Sequence, residues 1–298
     1  MLLKHQVLAP IAFVLALVLA PVPRGAADVD CPDARVYSKD LTESELEFLI
    51  AFLPGFDQVP DAITVLDTTK GPIYQMVTTC DDGHDWVFEA GMSASEYQTF
   101  FDDNAAKGYR PHIVEVYGNH PNETYLSVMV NDGRSARGRH RILPSDWSKG
   151  RAELESLEDG TLDPAWFSSS GTGESVRYAC VWLEREDPLQ QKNTLTGLGR
   201  TSFNETHEDL RRDGSRLISA SVHGTPFNPV FGGFFTRGIQ PEWEVRTGLT
   251  SDELEVEVSE QESRGWEVDV VTAYDDFPIR RYIAVFKRDP YRTFRVQG

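Results

Sequence analysis

The sequence predicts an α+β protein of five tandem units of about 52 residues. Each unit reads strand, helix, β-hairpin, and the units stack as a closed, propeller-like ring or an open solenoid. Three observations carry this expectation. Aromatic-led apolar segments begin at Tyr74, Tyr125, Tyr178, Phe231 and Tyr282, stepping by 51, 53, 53 and 51 residues. Glycines at Gly55, Gly108, Gly160, Gly214 and Gly265 step by 53, 52, 54 and 51, and each precedes its aromatic by 17 to 19 residues. Helix-start signals stand upstream of four of these glycines: Thr42-x-x-Glu45, Ser93-x-x-Glu96, Ser202-x-x-Glu205 and Thr250-x-x-Glu253. In such a box the hydroxyl and the carboxylate each satisfy a backbone N–H that the first helical turn leaves unpaired.

The N-terminus reads as a secretory signal peptide over residues 1–27. Lys4 lies in a short leading segment, Val7 to Ala20 is apolar apart from Pro10, and Gly25-Ala26-Ala27 offers small residues for cleavage. Fourteen apolar residues rise about 21 Å as a helix, short of a hydrocarbon core of roughly 30 Å, so a membrane anchor is the weaker reading. No later stretch approaches spanning length. The expected product is one secreted repeat domain over 28–298, with units near 34–84, 85–138, 139–192, 193–241 and 242–298. Matching strand segments at Val36-Tyr-Ser38 and Thr293-Phe-Arg-Val296 would let a ring close and leave no room for an added catalytic domain.

Within the units, Leu46, Leu49, Ile50 and Leu53 follow helical spacing, as do Tyr97, Phe100, Phe101 and Ala105. The glycine then suits the left-handed position past a helix end, where a Cβ clashes. Unit three lacks the capping box and starts its helix near Ser145 or Ser148. In unit five Leu254, Val256 and Val258 alternate like a strand, but the repeat and Thr250-x-x-Glu253 assign a helix. After each glycine the pattern turns to strand, as in Ile113-Val-Glu-Val-Tyr117, then a turn, then the aromatic-led strand. Those turns lie near Thr69-Lys-Gly71, Gly118–Asn122, Ser170–Gly173, Gly224-Thr-Pro226 and Asp275-Asp-Phe-Pro278. Of three cysteines, Cys180 sits in an apolar run and reads as a buried hydrophobe. Cys31 and Cys80 lie in polar, turn-like sequence and are the expected disulfide pair.

The segment Trp86-Val-Phe-Glu-Ala-Gly-Met-Ser-Ala-Ser-Glu-Tyr-Gln-Thr-Phe-Phe, with Lys107-Gly-Tyr-Arg-Pro111, resembles the bacterial tandem repeat family. Thr247-Gly-Leu-Thr250 with Arg264-Gly-Trp266 and Tyr282-Ile-Ala-Val-Phe286 is a second match, and Tyr178-Ala-Cys-Val-Trp182 a third for its strand. The resemblance implies an extracellular protein with no catalytic residues to carry over. Similar repeats precede a serine hydrolase domain of β-lactamase type in some fungal secreted proteases. That association implies an accessory or substrate-binding role, and this chain lacks the hydrolase.

Candidate chemistry is sparse. Ser-x-x-Lys, Gly-x-Ser-x-Gly and a phosphate loop are all missing, and no histidine pair has zinc-site spacing. Ser168-Ser-Ser170 and Thr172 read as a turn. Asp81-Asp-Gly-His-Asp85 and Phe101-Asp-Asp-Asn104 lack the spacing of a calcium loop. Trp86, Trp166, Trp182, Trp243 and Trp266 recur with the repeat and read as core. Asn122 and Asn204 head glycosylation sequons. Loss of Lys4 and Arg24 with the signal leaves 27 basic against 47 acidic residues, a net charge of −20, which disfavours nucleic acid and anionic membranes. The sequence therefore points to a secreted, non-enzymatic binding or scaffold protein without cofactor or metal, acting on an extracellular protein or glycan through its hairpin turns. The expected binding rim comprises Lys70, Gly71, Asn119, His120, Asn122, Ser170, Thr172, Thr225, Asp275 and Asp276. Two alternatives stay open: an extracellular, hydrolase-related enzyme with a site between repeats, and an acidic matrix component binding calcium weakly.

Overall fold

A computed structural model describes residues 35–156, 162–185, 191–237 and 242–288. The expected signal segment over residues 1–27, Cys31 and Gly160 lie outside the described residues. The elements fall into five units. Unit one holds β1 (Val36–Leu41), α1 (Glu43–Phe52), β2 (Gln58–Thr68) and β3 (Gly71–Cys80). Unit two holds β4 (Asp85–Ser93), α2 (Ala94–Ala105), β5 (Arg110–Tyr117) and β6 (Thr124–Asn131). Unit three holds β7 (Ala136–Ile142), α3 (Trp147–Ser156), β8 (Leu162–Ser170) and β9 (Arg177–Glu184). Unit four holds β10 (Gln191–Gly199), α4 (Arg200–Arg212), β11 (Ser215–Thr225) and β12 (Asn228–Arg237). Unit five holds β13 (Glu242–Leu249), α5 (Ser251–Ser263), β14 (Glu267–Asp276) and β15 (Ile279–Arg288). Each unit forms its own three-stranded antiparallel sheet, with the last strand of the unit in the centre, and the five sheets are separate.

The helices start where a capping residue stops the preceding strand. Thr42, Ser93 and Thr250 each accept from the N3 backbone, and Glu45, Glu96 and Glu253 reach back to the cap N–H. Unit four departs from expectation. Its helix starts at Arg200 behind Gly199, which has no side chain to cap with, so Ser202 lies inside the helix. In unit three a short 3-10 turn at Pro144–Asp146 leads into α3. Four residues past each cap position stands one buried anchor: Leu46, Tyr97, Trp147, Phe203 and Leu254. These meet the repeating aromatics of the central strands. Tyr97 stacks on Tyr125 at 5.0 Å, Trp147 meets Tyr178 at 5.6 Å and Phe203 meets Phe231 at 5.2 Å. Burying such side chains, at about 1.5–3 kcal/mol each, is what holds a helix to its sheet. Helix α5 settles the strand-like alternation of unit five, because Leu254 is buried while Val256 is 58% exposed.

Two backbone devices recur. Just before each cap the first strand bulges, with Asp40, Gly91, Arg141, Gly197 and Gly248 all at φ between 53° and 75°. Glycine takes this left-handed conformation without strain. Where units one and three place Asp40 and Arg141 there, the side chain is used on the preceding unit. Tyr282 and Arg280 of unit five donate to Asp40, and Arg141 pairs with Glu123 of unit two at 2.6 Å. The second device is the glycine after the helix. Gly108, Gly214 and Gly265 have φ of 91°, 81° and 77°. Gly55 does not: α1 runs on as a 3-10 turn over Leu53–Phe56, and Asp57 makes the left-handed reversal instead.

The inner edge strands β2, β5, β8, β11 and β14 do not pair with one another, yet their backbones are tied together. One register position in each does the work: Thr64, Glu115, Ser168, Ser221 and Thr272. Thr272 Oγ1 donates to Ala220 O at 2.9 Å. Ser221 Oγ accepts from Ser169 N at 2.9 Å, and Ser168 Oγ from Val116 N at 3.0 Å. The Glu115 carboxyl accepts from the Val65 backbone. Thr64 Oγ1 of unit one donates to Val271 O of unit five at 2.6 Å. Each unit thus bonds the backbone of the one before it, and unit one bonds unit five. Ion pairs reinforce the latter junction: Arg35, itself paired with Asp61 in unit one, reaches Asp269, and Lys39 reaches Glu255. Burial would raise the Asp269 pKa, but Lys287, Arg216 and Arg35 outweigh it and hold this carboxyl well below its ordinary value.

Two measurements test this account. Gly108→Ala should lower stability by about 1 kcal/mol in urea unfolding, because its φ is left-handed. Gly55→Ala should be neutral within about 0.5 kcal/mol, since its φ is not left-handed and nothing lies within 4 Å of the added Cβ. Equal effects would reject the assignment. The second concerns Glu115, which burial pushes up to about 8 despite hydrogen bonds from Trp166, Ser168 and Val65. The unfolded chain loses this proton near pH 4.3, whereas the folded chain keeps it to about 8. Stability therefore falls as pH rises between those values, by ~5 kcal/mol at most in order of magnitude. Glu115→Gln should flatten the decline between pH 5 and 8, and an unchanged slope would contradict it.

Candidate functional site

Beyond the tying layer the inner strands end in their hairpin turns, and the five turns wall one cavity of about 310 Å³. Its wall takes Asp67 to Thr69 from unit one, Gly118 and Asn119 from unit two, and Ser170 to Thr172 from unit three. Unit four gives His223 to Pro226, and unit five gives Tyr274 and Asp275. Val65, Val116, Ser169 and Val222, one residue past the tying layer, line it more deeply. The turns also bond one another. Gly224 N donates to Gly171 O at 3.0 Å and Phe277 N to Pro226 O at 2.9 Å. Ser175 Oγ, in the turn of unit three, donates to Asn119 Oδ1 at 2.8 Å. Gly171 and Gly224 have left-handed φ, and a Cβ on either would come within 2.6 Å of a turn carbonyl. Close packing of the turn backbone therefore requires glycine at both positions.

Of the ten rim residues expected from sequence, Asn119, Ser170, Thr172, Thr225 and Asp275 line this cavity. Lys70, Gly71, His120, Asn122 and Asp276 lie in or beside the same turns but off its wall. His120 is engaged with Glu123, whose carboxyl also pairs with Arg141. Asp276 pairs with Arg200 at 2.5 Å. Asn122 is exposed ahead of β6, and Asn204 is half-buried in the second turn of α4. Ser168, Ser169 and Ser170 were expected in a turn and instead end β8, buried. The reason is physical: a serine hydroxyl can satisfy a neighbouring strand's backbone where no sheet pairing reaches. Ser170 Oγ is the exception. Only 5% of Ser170 is exposed, it lines the cavity, and its hydroxyl has no hydrogen-bond partner among the described residues. Cys180 is a buried free thiol, and burial pushes it up to about 12. Cys80 ends β3, while Cys31 falls outside the described residues.

The cavity's electrostatics differ from those at the far end of the same strands. There Asp132, Asp163 and Asp269 are matched by Arg110, Arg185 and Lys287. The cavity wall carries Asp67 and Asp275 and no lysine or arginine, though Arg280 behind the wall pairs with Asp275 at 3.6 Å. Burial raises the Asp67 pKa. Burial pushes His223 down to about 4, so it is neutral near pH 7. Such a wall repels anions and offers hydroxyls, backbone groups and carboxylates to neutral or cationic ligands. His223 Nδ1 stands 3.0 Å from Ser169 Oγ, a base-to-hydroxyl geometry. The same Oγ also bonds Ser221 Oγ at 2.9 Å, and a histidine with so low a pKa is a weak base.

Sequence reading concentrated on tryptophan and missed Phe227 and Phe277. The tryptophans pack inward, with Trp166, Trp182 and Trp266 buried and Trp86 and Trp243 half-buried. Phe227 and Phe277, in the turns of units four and five, are 77% and 65% exposed with ring centroids 4.8 Å apart. The readable signal was a Pro-Phe or Phe-Pro step within two neighbouring turns.

A family model described as the polyglycine hydrolase-like structural repeat matches residues 83–132 and 240–289. No curated protein matches the chain. The matched stretches cover units two and five, the two that combine a left-handed glycine before the helix with a complete capping box. Unit one has the box but Asp40, unit four has the glycine but no box, and unit three has neither. The chain therefore carries the polyglycine hydrolase-like structural repeat twice, within a series of five units of one architecture.

Proposed function

We propose that this is a secreted, non-enzymatic binding module whose five units close into a propeller-like ring, and that its ligand enters the cavity framed by the hairpin turns. The observation that carries the reading is that all five turns, the segments differing most between units, wall one cavity. Packing restrains strands, whereas solvent-facing loops acquire specificity. Closure is supported by the bonds of unit one to unit five through Thr64 and Asp40. A second reading, a hydrolase acting between units three and four, rests on the Ser169–His223 contact alone. Modification of Ser169 by a fluorophosphonate would favour it over the binding module.

Val222 lines the cavity, so Val222→Phe narrows it while leaving every tying residue in place. Saturation-transfer NMR with mixed uncharged oligosaccharides and tripeptides should show contact with the wild type, lost in this variant at unchanged Tm. Retained contact would place binding elsewhere. Thr64→Val should cost ~2 kcal/mol, as the buried Val271 carbonyl loses its donor. In an open solenoid this side chain would face solvent and the loss would be near zero.

A further inference from the structure

Two features meet at one side of the cavity mouth. The turns of units four and five place Pro226, Phe227, Phe277, Pro278 and Ile279 together, all exposed. Phe277 N donates to Pro226 O, so a backbone bond holds the two turns, and with them the Cα atoms that carry the rings, side by side. Pro226 also belongs to the cavity wall, which makes the apolar lip continuous with the polar cavity. Beside the lip stand Asp275 and, from the next unit, Asp67, and Ser170 Oγ waits unpartnered in the wall.

We infer that the cavity and its Phe227–Phe277 lip bind the end of a neutral polysaccharide chain, an assignment that rests on the cavity being the binding site. A pyranose ring is amphipathic, with C–H groups on its face and hydroxyls around its edge. The lip offers aromatic faces for the first. The wall offers Asp67, Asp275, Asn119, Ser170 and Thr172 for the second, acceptors and donors together. A cavity of about 310 Å³ lies at the small end of ligand pockets, so it takes a chain end while the next residue lies on the phenylalanines. The alternatives fit less well. A protein interface takes roughly 20–30 residues a side, and the lip has five. An acidic mouth on a chain of formal charge −18 opposes an anionic membrane. Anionic sugars are excluded by the missing lysine and arginine in the wall.

The test is titration calorimetry with cellohexaose, laminarihexaose and N-acetylchitohexaose on the mature protein. At least one should bind. Phe227→Ala with Phe277→Ala should weaken it tenfold or more, Val222→Phe should abolish it, and both variants should keep the wild-type Tm. Lack of binding by all three hexasaccharides overturns the assignment, as does binding that ignores the phenylalanine pair. Should a tripeptide occupy the wild-type cavity and not that of Val222→Phe while no hexasaccharide binds, the cavity remains a binding site and only the saccharide assignment falls. Capture of the protein by phosphatidylcholine vesicles, dependent on the two phenylalanines and without hexasaccharide binding, would reassign the lip to a lipid surface.

Discussion

Everything in this fold depends on polar side chains that reach from the inner strand of each unit to its neighbour's backbone. A three-stranded sheet has two open edges, and an open edge buried against a neighbour leaves backbone groups without partners. Here the inner edge is never continued by another strand. Thr64, Glu115, Ser168, Ser221 and Thr272 each supply a side-chain oxygen to the preceding inner strand. An unmade buried hydrogen bond costs about 1–3 kcal/mol, so an apolar residue at any of these positions would weaken a whole junction. Between units three and four Ser219 Oγ adds a second tie, accepting from Phe167 N at 3.0 Å and donating to Phe167 O at 3.1 Å, and apolar residues pack around these bonds, with Ile63, Val114, Phe167, Ala220 and Val271 all buried. Burial supplies the adhesion, and the polar residue sets the register between units.

That arrangement creates the cavity. Past the tying layer the strands run out into turns, and the space between them is left as the cavity. Three of the five turns put glycine at the mouth, Gly118, Gly171 and Gly224, all with left-handed φ. Their backbones can therefore approach and bond each other, as Gly224 does Gly171. What remains exposed inside is a set of hydroxyls and peptide groups with few competing partners. Ser170 shows the consequence, since its hydroxyl is buried and unpaired while Ser168 and Ser169 in the same strand are bonded.

The fold was legible because its markers are backbone constraints. The central-strand aromatics, the boxes at Thr42, Ser93 and Thr250 and the glycines at Gly108, Gly214 and Gly265 occupy the roles their chemistry requires. The tying residues keep the same spacing as the aromatics, 51, 53, 53 and 51. They were not legible, because threonine, glutamate and serine share only an oxygen and no hydropathy pattern unites them. Unit four misled for a related reason: Ser202-x-x-Glu205 has the form of a capping box, but the bulge at Gly197 sets the helix start earlier. The site was legible as a set of turns and not as a cavity. Sequence says which segments are turns, while only packing decides that Asn119 faces the cavity and that His120 turns to Glu123.

The unequal copies also explain how a series of five like units acquires a direction. At the mouth, one register position holds Asp67, Gly118, Gly171, Gly224 and Asp275 in units one to five. The two acids belong to units five and one, which are neighbours through the Thr64 bond. The charge is therefore not spread around the mouth but gathered on one arc. The apolar tips fall on the adjoining arc, between units four and five, and units two and three contribute glycines, Asn119 and serine hydroxyls. A ligand with one apolar face and one hydrogen-bonding edge would have a single favourable orientation on such a wall, because rotation by one unit would set its apolar face against carboxylates. Burying an unpaired polar group carries a penalty of about 1–3 kcal/mol, so each mismatched contact would count roughly tenfold in affinity. Divergence among the turns, which makes the repeats hard to recognise in sequence, is then the same property that would let a repetitive scaffold distinguish the two ends of a chain.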